Sequence, residues 1–425
     1  MKTNQKQIKN VGFISTRFQG TDGVSLETEK WVHVLERMGY SCFFFAGQSD
    51  WAEDKTMVQP EAFFEHPDIK NIQELSFNSY KRPRELGDKI HQIQKLLKNS
   101  LYTFYEKFDL DMIIIENASC IPMNIPLGIA ITEFIAETGV ATIAHHHDFS
   151  WERDRFMINC INDYIEMAFP PSLPSIQHVT INSEARHQMG YRMGLSATIV
   201  PNVFDFHNKM DLEDDYTKDL RADLGLEKDD IFFLQPTRVV ARKGIEHAIE
   251  LVHRLKNPKI KIVIAHMSKD EGRSYLDRII DYAKLMKVEL VIRPDLVGKT
   301  RKITADGKKI YTLWDLYPKA DFVCYPSLYE GFGNAFVEAI YFKKPILVNR
   351  YSVYKKDIEP LGFDVVAMDG HITEEVVESV KNLLGNPDKL SETTEKNFNI
   401  AKKFFSYSTV EQKLKTMIEN FDGVC

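Results

Sequence analysis

Short apolar runs alternate with longer amphipathic stretches along this chain, and the series occurs twice. The pattern predicts a first set of strands at residues 11–15, 41–46, 112–116, 141–144, 178–181 and 197–200. It predicts a second set at residues 231–235, 260–265, 288–292, 322–325, 345–348 and 364–367. Helical periodicity fills the intervals, as in residues 25–38 and 127–138. Strands that alternate with helices are typical of βαβ units, so we expect an α/β protein with two doubly wound parallel sheets.

A polar, acidic segment at residues 205–230 separates the two sets and predicts the domain boundaries. We expect an N-terminal Rossmann-like domain over residues 1–205, a second over 206–390, and a C-terminal helix over 391–425 that is interrupted near 405–407. The hinge is predicted at residues 204–211. A chain of 425 residues has room for two domains of ordinary size. Such halves would face a central cleft at the carboxyl ends of their strands, where ligands of open sheets bind.

The composition excludes several classes of protein. A formal net charge of −7 argues against a general nucleic-acid binder, which needs a basic surface. No apolar stretch reaches the ~20 residues that span a bilayer, and the first residues lack the apolar region of a signal peptide. The five cysteines form no C-x-x-C pair and are expected to be reduced thiols. These features predict a cytoplasmic protein.

Residues 320–340 contain the side chains that say most about chemistry. The apolar run 320–325 predicts a buried strand that stops at Pro326, and a helical pattern opens near Gly333. A strand, a glycine-bearing loop and a helix start direct backbone N–H groups and a positive dipole end at one point, which suits a phosphate. Glu330 and Glu338 lie beside this point, and carboxylates accept hydrogen bonds from sugar hydroxyls. A nucleotide sugar carries both kinds of group.

Two cations follow the strand at residues 231–235. Arg238 and Lys243 are separated by a short connection, and a helix begins beyond Gly244. Cations fixed beside a diphosphate leaving group would stabilise the charge that develops as the glycosidic bond breaks. Arg242 is the weaker candidate, because its neighbour already fits this pattern.

The E-x7-E pattern of Glu330 and Glu338, within Pro-Ser-x-x-Glu-Gly-Phe-Gly, resembles the donor-site signature of retaining GT-B glycosyltransferases of family 4. The resemblance implies the GT-B fold, with the C-terminal helix crossing back to the first domain. It places Glu338 on the ribose and Glu330 on the sugar hydroxyls. The catalytic residues it implies are Arg238, Lys243, Glu330 and His147. The donor-binding residues it implies are Gly23, Gly331, Phe332, Gly333, Asn334, Ala335 and Glu338.

Three histidines follow the strand at residues 141–144. Adjacent side chains on an extended segment point to alternate sides, which argues against one shared metal ion. A structural role and a metal site stay as alternatives to contact with the donor or acceptor. The resemblance favours contact for the His147–Asp148 pair, because family members often carry a histidine here near the transferred sugar. The acceptor-side candidates are Arg17, Asp22, His145, His146, Asp148, Trp151 and Arg155.

Other segments support the resemblance or depart from it. Residues 182–186 and 200–205 are similar to the family's S-E and P-N-x-x-D landmarks. The family's Gly-Gly-x-Pro-Glu loop is replaced by residues 349–358. Asp109 and Asp111 form a D-x-D before a strand rather than after one, so we interpret them as solvated turn residues. The resemblance therefore implies a metal-independent enzyme.

The segment at residues 81–107 is basic and has apolar residues at helical spacing. We interpret it as an amphipathic helix packed on the sheet. The alternative is a patch for an anionic acceptor or for peripheral, non-spanning contact with a membrane surface.

Together these features predict a retaining glycosyltransferase that moves a sugar from a nucleotide-diphosphate sugar to a hydroxyl acceptor. No cofactor or metal is expected, and the donor is a co-substrate. In this family the departing phosphate is usually proposed to deprotonate the acceptor during a front-face substitution. The alternatives are a GT-B phosphorylase, a nucleotide-sugar epimerase, or a non-catalytic metal-binding protein. The base and sugar of the donor, the acceptor and the oligomeric state stay open.

Overall fold

A computed structural model describes residues 8–20, 23–266 and 273–422 of the chain. The chain forms two compact units. The first comprises residues 1–202 together with 407–425, and the second comprises residues 203–406.

The first unit is a parallel sheet with helices in the connections. Its strand order is β3-β2-β1-β4-β5-β6-β7, and every neighbouring pair is parallel. The strands are β1 (Asn10–Ile14), β2 (Ser41–Ala46), β3 (Thr56–Val58), β4 (Met112–Glu116), β5 (Ala141–His146), β6 (Ile176–Thr180) and β7 (Ala197–Ile199). The helices are α1 (Gly23–Arg37), α2 (Pro67–Ser76), α3 (Arg84–Lys107), α4 (Ile125–Thr138), α5 (Asn162–Ala168), α6 (Ser183–Met193) and α14 (Tyr407–Asp422).

The second unit repeats this plan with a smaller sheet. Its parallel strands are arranged in the order β10-β9-β8-β13-β14-β15, and β11 and β12 form an antiparallel pair. The strands are β8 (Ile231–Arg238), β9 (Ile260–His266), β10 (Glu289–Ile292), β11 (Lys302–Ile303), β12 (Lys309–Ile310), β13 (Phe322–Tyr325), β14 (Ile346–Asn349) and β15 (Val366–Met368). The helices are α7 (Leu220–Asp223), α8 (Ile245–Leu255), α9 (Arg273–Met286), α10 (Leu313–Lys319), α11 (Asn334–Tyr341), α12 (Glu374–Leu384) and α13 (Pro387–Phe404).

The predicted α/β class is confirmed: both sheets are doubly wound, and every predicted strand is present within a few residues of its expected bounds. Strands β3, β11 and β12 were not predicted, because two or three residues are too short to show an alternation. Parallel strands covered on both faces are apolar throughout, and all of β4 is buried. Helices fill the two faces, so each unit has its own apolar core.

The strand order places a topological switch point in each sheet. The chain leaves β1 toward one edge and later resumes at β4 toward the other edge, so these adjacent strands have connections that diverge. Strands β8 and β13 have the same relation in the second sheet. Ligands of open α/β sheets bind in the crevice that such divergence leaves at the carboxyl ends of the strands.

Two structural points bear on the sequence predictions. Asp111 is not a solvated turn residue: its Oδ2 accepts hydrogen bonds from the backbone N–H groups of Lys9 and Asn10, both at 2.9 Å. It therefore fixes the start of β1 beside β4.

Within the described ranges, no helix combines the length and apolar character needed to cross a membrane.

Candidate active site

The turn after β8 lies against the end of β13. Residues Ala241–Lys243 form a single 3₁₀ turn, and Gly244 follows with φ of +58°. A Cβ added at Gly244 would lie 2.5 Å from the Pro326 carbonyl oxygen. Only glycine fits both this backbone conformation and this close approach. The two loops at the second switch point are therefore in direct contact.

That contact brings Glu330 to two cations. Its carboxylate forms an ion pair with the Lys243 ammonium and a second with Arg242, whose Nη1 lies 3.0 Å from Oε2. The side chains of Lys243 and Glu330 are each 10% exposed, and that of Arg242 is 31% exposed. The residue judged weaker from the sequence is thus the one that shares the glutamate with Lys243.

Burial and charge act in opposite directions on this group. Burial would raise the pKa of the Glu330 carboxyl, but the charges of Lys243 and Arg242 outweigh it and hold that pKa below its usual value. Burial also lowers the pKa of the Lys243 ammonium, an effect that the carboxylate opposes. The result is a largely buried ion-pair cluster in which the Glu330 carboxylate is balanced by the positive side chains of Lys243 and Arg242.

Helix α11 begins beside this group. Its N-cap is Gly333, at φ of +133°, and no side chain caps the helix. A Cβ at Gly333 would lie 2.5 Å from the hydroxyl of Tyr351, which donates a 2.6 Å hydrogen bond to the Phe332 carbonyl. Tyr351 thus fixes the loop before α11 in a conformation that only glycine tolerates.

The other predicted donor residues lie on or next to α11. Glu338 is half-buried and accepts a 2.9 Å hydrogen bond from the hydroxyl of the buried Tyr317. Asn334 and Ala335 form the first turn and are half-buried, whereas Gly331 is exposed. Arg238 ends β8 with an exposed side chain and makes no ion pair with any residue that the structure describes.

A second cluster occupies the carboxyl ends of β4 and β5 in the first unit. The fully buried Glu116 places its Oε2 3.0 Å from Nδ1 of His145 and 3.4 Å from Nε2 of His147. Asn117, at φ of +59°, accepts the His147 backbone N–H through its Oδ1 at 3.0 Å and donates to Asp148 through its Nδ2 at 3.0 Å. The carboxylate, the imidazoles and the amide form one network.

His146 points away from this cluster. Its Nε2 lies 2.9 Å from Nδ1 of His178, and both rings are buried. Burial lowers the pKa of both imidazoles, that of His178 to about 4. We therefore assign His146 a structural role between β5 and β6.

The remaining acceptor-side candidates are dispersed around the first sheet. Trp151 stacks on Phe149 and donates a 2.8 Å hydrogen bond to Gln188. Arg155 is exposed and contacts Met123. Arg17 lies over the Phe64 ring at 5.3 Å.

The glycine loop after β1 contributes one described candidate. Gly23 begins α1, and a Cβ there would meet nothing within 4 Å. Asp22 lies outside the described residues.

Sequence reasoning missed three members of the clusters, which are Glu116, Asn117 and Tyr317. Glu116 closes an apolar strand, and an acidic residue at the end of a buried strand beside a switch point is a signal that could have identified it. Tyr317 gives no such signal, because its contact with Glu338 depends on how α10 packs.

The clusters differ in what they can bind. The group on the second unit offers cations, a helix start and carboxylates, which suits a phosphorylated and hydroxylated ligand. Among the described residues, Glu116, His145 and His147 also place three potential metal-ligand atoms within 4.8 Å of one another.

Known structures share this fold. A glycosyltransferase from Rickettsia africae ESF-5 matches with a TM-score of 0.69 and 12% identity, covering 99% of this chain and 100% of that one. The Anabaena protein Alr3699/HepE, solved with UDP and glucose, matches with a TM-score of 0.62 and 13% identity over 97% of this chain and 100% of that one. The class defined by the two sheets and these neighbours is the GT-B fold.

Sequence relatives are much closer. The profile of the family "Glycosyl transferases group 1" matches residues 301–400. The mannosylglucosylglycerate synthase of Petrotoga mobilis is 32% identical over 93% of this chain and 98% of its own length. The enzyme of the same name from Thermotoga maritima is 31% identical over 92% of this chain and 96% of its own length. This chain therefore belongs to the glycosyl transferases group 1 family and is a glycosyltransferase.

Proposed function

We propose that this enzyme transfers a hexosyl residue from a nucleotide-diphosphate sugar to a hydroxyl acceptor with retention of the anomeric configuration. The observation that carries the proposal is the contact between the β8 and β13 loops, which puts Lys243, Arg242 and Glu330 beside the start of α11. Cations and helix N–H groups bind the diphosphate, and carboxylates accept hydrogen bonds from the sugar hydroxyls.

The charge arrangement lowers the barrier to the transfer step. The leaving diphosphate gains negative charge as the glycosidic bond breaks, and fixed positive groups stabilise that charge more than they stabilise the ground state. The protein supplies these positive groups through Lys243, Arg242 and Arg238. The proposal therefore requires no metal ion at the diphosphate. The departing phosphate oxygen accepts the proton of the attacking hydroxyl, and no protein nucleophile is needed.

We propose the substrates from the names of the two sequence relatives. The Petrotoga and Thermotoga enzymes are named for the synthesis of mannosylglucosylglycerate. We propose the same product here, formed when a mannosyl group passes to a glucosylglycerate acceptor. This acceptor offers sugar hydroxyls and a carboxylate, and it is small and polar.

The test is a substrate panel. Purified enzyme is incubated with UDP-, GDP- and ADP-linked mannose and glucose, with and without glucosylglycerate, and products are followed by NMR. We expect one mannosyl donor to give mannosylglucosylglycerate that keeps the donor's anomeric configuration, with release of nucleoside diphosphate in the presence of EDTA.

Three results would contradict the proposal. Turnover with mannose 1-phosphate in place of the nucleotide sugar would indicate a phosphorylase. Conversion of the donor sugar without an acceptor would indicate an epimerase. Inversion of the anomeric centre would exclude the retaining mechanism.

A further inference from the structure

The Glu116 cluster has a feature that the transfer reaction leaves unexplained. The Glu116 carboxylate, fully buried at the end of β4, contacts both His145 and His147 through the same oxygen, Oε2. Its other oxygen, Oε1, is buried and has no hydrogen-bond partner within the described part of the chain. Burying an ionised carboxylate is costly unless a positive partner compensates it. At least one of the two imidazoles should therefore carry charge.

We propose that Glu116 is a positioning residue that holds His147 as an imidazolium whose Nδ1–H is presented to the substrate. The inference rests on the proposed function. It concerns Glu116, which sets the charge and orientation of His147, and not the identity of the substrate that His147 contacts.

The surroundings decide which histidine is charged. His145 is 1% exposed, stacks on Trp31 with ring centroids 4.2 Å apart, and leaves its Nε2 buried without a partner in the described ranges. A charged His145 would bury an unsatisfied N–H donor, so His145 is neutral and donates through Nδ1 to Glu116. Burial accordingly lowers the pKa of His145.

His147 has the opposite environment. Its side chain is 10% exposed, its Nε2 faces Glu116, and among the described residues nothing pairs with its Nδ1. Burial would lower the pKa of its imidazole, but the Glu116 carboxylate more than reverses this and raises it above the usual value. Two further carboxylates act in the same direction, those of Glu27 on α1 and of Asp148.

The neighbouring contacts fix the orientation of the ring. Asn117 accepts the His147 backbone N–H, and the Arg153 guanidinium donates to Asp148, with Nε at 2.7 Å from Oδ2. With Nε2 committed to Glu116, the remaining donor is Nδ1–H. A charged donor of this kind binds a hydroxyl or a phosphate oxygen about twice as strongly as a neutral one.

Glu116→Gln is the direct test, because glutamine keeps the shape and an acceptor oxygen but loses the charge. In this variant the pKa of His147 falls, because the carboxylate that raises it is gone. At a pH between the pKa values that His147 has in the wild type and in the variant, we expect kcat to fall roughly ten- to a hundredfold, with a smaller change in KM for the donor. The deficit should shrink as pH is lowered toward 6, where the imidazole regains its proton. His178→Gln, outside the cluster, should keep the wild-type pH profile.

A second measurement does not require Glu116→Gln to fold and does not depend on any activity. The ring signals of His147 are followed by NMR against pH in the wild-type protein and assigned by their loss in His147→Asn. A pKa above the pH at which turnover is measured supports the proposal. A pKa at or below that pH overturns it, as does a Glu116→Gln deficit that is the same at every pH.

The rival use of these three side chains is a metal site. Elemental analysis of the purified protein separates the two ideas, since stoichiometric zinc that is lost in Glu116→Gln would overturn the proposal. Absence of bound metal, together with a charged His147, supports it. If no nucleotide sugar is turned over, the proposed function fails, while the NMR titration still reports on Glu116.

Discussion

At the scale of single residues, the second unit balances buried charges against each other. Lys243 is nearly buried, which disfavours its charged form, and the Glu330 carboxylate opposes that effect. Arg242 completes the compensation from a more exposed position. Under the proposed function, a ligand phosphate meets a lysine that is already largely desolvated and held in place, so little reorganisation opposes binding.

Replacing Lys243 with alanine tests that arrangement. The variant leaves Glu330 with Arg242 alone and removes one cation from the proposed leaving-group site. We expect kcat/KM to fall about 10²–10³-fold, measured from nucleotide release. The matched control is Lys261→Ala, which removes a lysine paired with Glu289 at the amino-terminal end of β9. Wild-type turnover by Lys243→Ala would contradict the assignment.

Gly333 offers a test of backbone conformation. Gly333→Ala puts a Cβ 2.5 Å from the Tyr351 hydroxyl at a φ of +133°. We expect a loss of about 1–3 kcal/mol in the free energy of unfolding and weaker donor binding, measured by denaturant titration and calorimetry.

The control for this variant is Gly87→Ala in α3. Nothing lies within 4 Å of a Cβ at Gly87, so alanine there should leave stability unchanged or raise it by up to about 1 kcal/mol. If both variants unfold alike, the strain argument at Gly333 is wrong.

At the scale of elements, β5 and β6 share a pair of buried histidines that makes stability depend on pH. The folded-state pKa of His178 is about 4, below the usual 6.5. Between these values the unfolded chain binds more protons than the folded one. The stability that the neutral His178 contributes is therefore fully present above pH 6.5 and is lost as the pH falls toward 4.

The expected loss from His178 is about 3 kcal/mol over that interval. The slope of unfolding free energy against pH reports the number of protons taken up on unfolding. His178→Gln should reduce that number by about one between pH 6.5 and 4.5. The slope, measured by urea titration at several pH values, is the readout, because the substitution also changes packing. A slope identical to that of the wild type would show that His178 is not buried in the neutral form.

The elements also show which predictions were within reach of the sequence. The strands β4 and β13 were predictable because continuous apolar runs bounded by polar or proline residues have few other interpretations. The helix start at Gly333 was predictable from the glycines before it. The pairing of Arg242 with Glu330 was not, since it depends on the half-buried arginine reaching a loop 88 positions away.

At the scale of the whole molecule, the chain returns to its first unit at the end. Helix α13 belongs to the second unit and α14 to the first. Gln177 in β6 donates a 2.7 Å hydrogen bond to the Met417 carbonyl of α14. The buried face of α14 comprises Val410, Leu414, Met417 and Ile418.

Leu414→Ala should therefore destabilise the first unit selectively. Removing a fully buried leucine side chain typically costs about 2–5 kcal/mol. Hydrogen exchange should show faster exchange in β1–β7 and unchanged protection in β8–β15. Lys415→Ala, whose side chain is 70% exposed, should change neither by more than about 0.5 kcal/mol. Equal loss of protection in both sheets would contradict this division.

By itself the sequence determined the α/β class, the two sheets and the family signature, because apolar periodicity and a short contiguous motif are local properties. Only the tertiary structure decided that Glu330 is shared by Lys243 and Arg242, and that Glu116 is shared by His145 and His147. The physical reason is geometric. A hydrogen bond or ion pair requires atoms about 3 Å apart, and strand order and loop conformation set that distance between residues 29 and 87 positions apart.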